Sequence, residues 1–184
     1  MLKELWLVSR CRHGDRQAFS QVYEAYVDEL LTVAINLLGD AELAEDVVQD
    51  VFVKFARTAA TFHLTGSLKG YLATCAANRA RDVIRQRQRS QAAPLPDTDM
   101  LVSGGQSPVD NAIETEERRR LRLALGELPE EQREAIVLRL HGNLKFREIA
   151  SVQCVSLKTV QSRYRYGLDR LRTLLNNEVF HETP

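Results

Sequence analysis

Residues 146 to 166, Phe-Arg-Glu-Ile-Ala-Ser-Val-Gln-Cys-Val-Ser-Leu-Lys-Thr-Val-Gln-Ser-Arg-Tyr-Arg-Tyr, constrain this chain more than any other stretch. They read as a helix, a tight turn and a second helix with a basic, polar outer face. Ser156 is a suitable N-cap for the second helix. Val160, Tyr164, Leu168 and Leu171 recur at helical spacing and predict its buried face. Lys158, Thr159, Gln161, Ser162, Arg163 and Arg165 occupy the other side. A helix so equipped suits a DNA major groove. Gln161 offers a bidentate edge for adenine and Arg165 one for guanine, while backbone N–H groups at the helix start favour phosphate.

The rest of the composition agrees with helices. Apolar residues make up 44% of the chain, glycine and proline are sparse, and strand-like alternation is hard to find, so an all-α protein is expected. Cys11, Cys75 and Cys154 are dispersed and odd in number, which suits reduced thiols rather than a disulfide framework. No apolar run reaches transmembrane length, and the start of the chain has too short an apolar core for a signal peptide. A soluble cytoplasmic protein is the expectation, with no membrane insertion.

The formal net charge is zero, but the charges are segregated. Residues 1–68 carry 6 basic and 10 acidic side chains, and residues 69–90 carry 6 basic and 1 acidic. Residues 91–117 carry 6 acidic and no basic ones, whereas residues 139–184 carry 8 basic and 4 acidic. Two basic blocks parted by an acidic spacer suit a chain that touches nucleic acid at two places.

Residues 91–111 hold Pro94, Pro96, Ser103, Gly104, Gly105, Ser107 and Pro108 and read as a flexible acidic linker. They part a domain at 1–90 from one at 112–184, each of a size to form a small helical bundle. In the first, Ala18, Phe19, Val22, Tyr23, Tyr26, Leu30, Val33 and Leu37 predict one apolar helix face ending at Gly39-Asp40. Ala44, Val47, Val48, Val51, Phe52 and Phe55 predict a second, with Glu45, Asp46, Gln49, Asp50 and Lys54 facing away. After a loop over 61–67, Ser67 caps a third helix, Leu68 to about Arg89. Its Arg81, Arg85 and Arg89 repeat every four residues in one stripe, broadened by Arg79 and Arg87, that can neutralise phosphates of any sequence. Asn78 is poor helix-interior material and reads as an exposed amide. In the second domain, residues 113–128 predict a helix, and Pro129-Glu130-Glu131 starts another that runs to His141-Gly142.

At this point the chain resembles bacterial RNA polymerase sigma factors of the extracytoplasmic-function group. The matching residues run in order: Gly14-Asp15 with Ala18-Phe19, the run Ala44 to Phe52, Leu72 through Asn78 to Asp82 and Arg85, then Leu128-Pro129 with Gln132-Arg133-Glu134, Glu148-Ile149-Ala150, Ser156, Thr159-Val160 and Ser162-Arg163. The resemblance implies a first domain that binds core RNA polymerase and the promoter −10 element, and a second that binds the −35 element. It implies polymerase contacts at Asp46, Gln49 and Asp50, whose carboxylates and amide suit a basic partner. It places Phe62 and Asn78 at a −10 pocket for unstacked bases, with Arg81, Arg85 and Arg89 beside them. It assigns the −35 element to Lys158, Thr159, Gln161, Ser162, Arg163 and Arg165. Family members are often restrained by an anti-sigma factor, and that partner class comes with the resemblance.

The chain departs from the family pattern at four places. Gln153 stands where an apolar residue is usual, which implies looser packing of the two motif helices. Cys154 lies at a turn where small residues are common, Lys145 replaces a usual Ser or Thr cap, and Gln161 replaces a common Lys or Arg. No catalytic constellation, glycine-rich phosphate loop or metal-ligand spacing emerges, so neither an enzyme nor a cofactor is expected. The competing reading is a helix-turn-helix regulator with an N-terminal sensor or dimerisation bundle. It leaves the arginine-rich third helix without a purpose.

Overall fold

The computed structural model describes residues 2–92 and 115–181. Every regular element among them is helical. A first cluster contains α1 (Leu2–Arg12), α2 (Arg16–Leu38), α3 (Ala41–Thr58), a 3-10 turn (Ala59–Thr61) and α4 (Leu68–Ala92). A second contains α5 (Glu116–Gly126), α6 (Glu130–Leu140), α7 (Phe146–Gln153) and α8 (Leu157–His181). From residue 93 onward, the linker expected at 91–111 lies outside the described residues.

Local signals set the helix ends. The Asp15 carboxylate accepts the N–H groups of Gln17 and Ala18 at 2.9 and 3.1 Å, capping α2. The Ala18 N–H and the Arg10 guanidinium hold that carboxyl below its usual range. Gly39 ends α2 with φ 71°, the left-handed conformation that glycine adopts at no steric cost. Asp40 then caps α3 through the Leu43 N–H, and Ser67 Oγ accepts the Gly70 N–H at 2.9 Å to start α4.

All six residues of the α3 apolar stripe are buried. Phe55 lies at their centre, with ring centroids 6.2 Å from Phe19, 5.5 Å from Phe62 and 6.5 Å from Tyr71. On α2 the predicted face is buried at Ala18, Val22, Leu30, Val33 and Leu37, but Tyr23 is 43% exposed. Its ring leans on Phe52 with centroids 4.7 Å apart, at the margin of the stripe. On α4 the buried residues are Leu68, Leu72, Ala73, Ala76, Ala77 and Ala80.

The periodicity did not predict α1. Its Leu7, Val8 and Cys11 are buried, whereas Leu5 and Trp6 are exposed. Glu4 fastens it, since one carboxylate oxygen accepts the Tyr26 hydroxyl at 3.0 Å and the Leu68 N–H at 3.2 Å. Burial, then the bond to Glu4, pushes the Tyr26 hydroxyl pKa up to about 12.

In the second cluster, Val160 and Leu171 of α8 are buried with Ile149 of α7 and Ala135 to Leu138 of α6. Gly167 allows α8 to approach α6: a Cβ there would lie 2.9 Å from Ile136 Cδ1. The two clusters touch where α5 and α6 meet α2 and where α6 meets α4. A Cβ on Gly142 would come within 3.2 Å of the Ala73 Cβ on α4.

Two predictions follow from this packing. Phe55→Ala should cost about 3–5 kcal/mol, the range for truncating a buried phenylalanine, read as a lower urea midpoint in circular dichroism. Burial first, and Lys69 second, hold His141 below its ordinary 6.5. The unfolded chain therefore takes up this proton before the folded one does. The stability is fully present above the ordinary value of 6.5 and is lost as pH falls below it, through the lower folded value. Wild type should show a lower Tm at pH 6.0 than at pH 7.5, and His141→Gln a smaller difference.

Candidate nucleic-acid interface

The buried alanines of α4 leave its other faces to polar side chains. Asn78, Arg85 and Arg89 are exposed there. The neighbouring arginines are engaged by acids: Arg79 Nε meets Asp50 at 2.8 Å, and Arg87 meets Asp40 at 3.0 Å. Arg81 differs from the rest of its stripe. Its guanidinium donates to Asn78 Oδ1 at 3.3 Å, to Glu134 Oε1 at 2.5 Å and to the Val152 carbonyl at 3.4 Å. The last two partners belong to the second cluster.

Phe62 follows the 3-10 turn and is half-buried. Its ring centroid lies 4.4 Å from Tyr71 and 5.5 Å from Phe55. It is therefore an outer member of the aromatic cluster. Burial, then Cys75, pushes the Tyr71 hydroxyl pKa up to about 12, so this hydroxyl stays neutral through neutral pH.

Asp46, Gln49 and Asp50 are exposed on α3, as the stripe requires. Beside them α2 and α3 enclose an open groove of about 670 Å³ whose lining includes Phe19, Tyr23, Phe52, Val53, Asp46 and Gln49. It pairs an apolar floor with an acidic and amide rim. Tyr23 and Val53 were not among the candidates read from sequence. Val53 carried a usable signal, an apolar residue outside the buried stripe of its helix.

On α8, Ser156 Oγ accepts the Thr159 N–H at 3.1 Å and bonds the Thr159 hydroxyl at 2.8 Å. Thr159 thus serves the cap with its side chain. Lys158, Gln161 and Arg165 are exposed, and Ser162 and Arg163 are half-buried. Arg165 lies over the Tyr166 ring, 5.0 Å from its centroid. Tyr164 packs edge-on against Phe146 at 5.2 Å, on the inner side as expected.

The four departures have local explanations or effects. Gln153 does not loosen the motif but ties it together. Its Nε2 donates to the Glu131 carbonyl and to Glu134 Oε2, both at 2.9 Å, and its Oε1 accepts from Arg163 at 2.8 Å. Cys154 takes φ 53°, the left-handed conformation that makes the turn. In place of a Ser or Thr cap at 145, Glu148 accepts the Lys145 N–H at 2.6 Å. Gln161 is exposed and presents an amide where a cation is common.

Comparisons with known proteins follow the same two-part division. The family model Sigma-70 region 2 matches residues 22–90, and Sigma-70, region 4 matches residues 118–171. The chain is 30% identical over 172 residues to the ECF RNA polymerase sigma factor SigK of Mycobacterium ulcerans (strain Agy99), covering 92% of each chain. It is 24% identical over 178 residues to the ECF RNA polymerase sigma factor SigW of Bacillus subtilis (strain 168), covering 92% of this chain and 95% of that one. Among solved structures it is similar to CnrH in complex with the cytosolic domain of CnrY, with TM-score 0.69, 23% identity and coverage of 95% and 98% of the two chains. It is also similar to the sigma factor RpoE in complex with the anti-sigma factor NepR from Bartonella quintana, with TM-score 0.65, 25% identity and coverage of 86% and 96%.

The chain belongs to the sigma-70 family of transcription initiation factors, and within it to the extracytoplasmic-function group. The region 2 match disfavours a sensor or dimerisation module in the N-terminal cluster. No helix among the described residues is long and apolar enough to cross a membrane.

Proposed function

We propose that this sigma factor joins core RNA polymerase through the outer face of α3, engages the −10 element through α4 and the loop before it, and reads the −35 element with the first half of α8. The domains assigned to these tasks are residues 1–90 and 112–184, parted by the linker at 91–111. The factor works in the cytoplasm, as a binding and positioning protein with no chemistry or cofactor of its own. One observation carries the reading: two polar, basic helical faces, on α4 and α8, stand on separate packed clusters of one chain. A regulator that binds only through its helix-turn-helix needs the second face alone.

Each surface has a chemical logic. Asp46, Gln49 and Asp50 offer acceptors to a basic polymerase surface, while the α2–α3 groove gives its side chains an apolar seat. On α4, Arg85 and Arg89 supply phosphate contacts, and Asn78 supplies donors and an acceptor for a base edge. The Phe62 ring offers a stacking face beside them when a base leaves the duplex. On α8, Arg163 and Arg165 suit guanine edges or phosphates, Gln161 suits adenine, and Lys158 lies next to the N-terminal N–H groups. An anti-sigma factor that covers these surfaces would restrain the protein, in keeping with the NepR complex of RpoE.

Reconstitution with core enzyme tests the whole reading. A folded preparation that neither binds core polymerase nor supports promoter-specific transcription would sink it. Within that assay, Arg163→Ala or Arg165→Ala should weaken binding to −35 duplex roughly 5- to 150-fold, the range of one lost bidentate base contact. Asn78→Ala should leave that binding intact and slow opening at −10, monitored by permanganate reactivity of unpaired thymines. Equal loss of both activities in all three variants would count against the division. Asp46→Ala and Gln49→Ala should each weaken association with core by at least about fivefold, equivalent to about 1 kcal/mol per contributing interface residue. Size-exclusion or fluorescence titration with core enzyme reads that loss.

A further inference from the structure

The contact between the two clusters is built on a carboxylate that would ordinarily avoid burial. Glu134, on α6, is 5% exposed and is the buried charged side chain among the described residues. Both of its oxygens are used. Oε1 accepts from Arg81 of α4 at 2.5 Å, and Oε2 accepts from Gln153 of α7 at 2.9 Å. Gln153 passes the chain on to Arg163 of α8 at 2.8 Å. At its other end Arg81 donates to Asn78 at 3.3 Å. An unbroken series of side chains, Asn78–Arg81–Glu134–Gln153–Arg163, thus connects the −10 candidates to the −35 helix.

Exposure distinguishes Arg81 from its neighbours. Its side chain is 21% exposed, against 43% for Arg79 and 53% for Arg87. The second cluster covers it, with the Val152 carbonyl adding a further acceptor. A carboxylate and a phosphate diester offer a guanidinium the same thing, anionic oxygens that accept charge-assisted hydrogen bonds. Other features close the same seam: Gly142 lies against Ala73, and Arg122 donates to the Gly39 carbonyl at 3.2 Å.

We propose that Glu134 is an intramolecular latch: its carboxylate occupies Arg81 in place of a DNA phosphate and holds the free chain closed, so promoter binding requires the two clusters to part. This rests on the reading of Arg81 as a DNA contact, but closure itself is measured without DNA. Opening exchanges one anionic partner of Arg81 for another and hydrates Glu134. A polyanion therefore competes directly with the latch, and a neutral ligand does not. Closure also places α6 against α4, so Arg81 becomes available to DNA on opening while the exposed residues of α8 are accessible in both states.

The test uses the full chain. Small-angle scattering of wild type should give a radius of gyration near the roughly 16 Å expected of a compact chain of this length. E134Q and E134K should give larger radii, and the swapped pair R81E/E134K should return toward wild type. Circular dichroism checks that helix content is kept, and the mild E134Q together with the swap decides the matter if E134K loses it. Equal radii for wild type and E134Q, or an extended wild type, overturn the latch. The same proteins are then titrated with a fluorescent single-stranded DNA oligonucleotide. E134Q should bind at least about fivefold more tightly than wild type, whereas E127Q, which removes an equal charge at an exposed site, should not. An E134Q chain that opens without gaining affinity overturns the occlusion of Arg81. If no variant binds the oligonucleotide, the DNA reading of α4 fails, while the scattering still decides closure.

Discussion

The burial of α4 along a ridge of alanines is the constraint on which this molecule depends. Ala73, Ala76, Ala77 and Ala80 have almost no exposed surface. Small side chains let neighbouring helices come close without leaving voids. With its packing done by methyl groups, the helix needs little of its circumference for the core. The remaining arc carries Asn78 and five arginines, from Arg79 to Arg89. A larger residue at Ala73 would also push away Gly142, which sits against it from the second cluster. One helix thus sets the first core, presents a basic surface and receives the other domain.

Polar side chains, rather than apolar area alone, define the seam between the clusters. A buried ion pair is not a dependable source of stability, because desolvation offsets much of its attraction. Its value lies in geometry: Arg81 and Glu134 satisfy one another only in one arrangement. The same logic applies to Gln153, whose amide meets three partners on two helices, one of them a backbone carbonyl. An apolar residue there would pack adequately but would leave Arg163 untethered and one Glu134 oxygen without this donor.

Much of the architecture was legible in the sequence where local physics decides it. The α3 stripe, the stop at Gly39 and the caps at Ser67 and Ser156 follow from spacing and side-chain chemistry within a few residues, and all appear as read. Tyr23 lies outside the interior that its spacing predicts, because periodicity marks a face but not its margin, where an aromatic ring can lie half on the core and half outside. Helix α1 leaves little periodic signal, because its apolar stretch is short and two of its members, Leu5 and Trp6, face outward. Gln153 looks like a defect in a local window because its partners at 131, 134 and 163 lie outside it. The Arg81–Glu134 contact spans 53 residues in sequence, and no periodicity or motif announces it. The candidate surfaces were accordingly easier to read than the network that joins them.

Glu4 gives α1 a mechanical role, although α1 carries none of the candidate contact residues. One carboxylate oxygen ties the first helix to Tyr26 of α2 and to the opening N–H of α4. The region 2 resemblance begins only at residue 22. A fragment trimmed to that boundary would keep every polar candidate yet lose the clasp at the base of the helix that displays them. The unit matched by the region 2 model is therefore smaller than the unit that packs together, and truncation boundaries for this protein belong before Glu4.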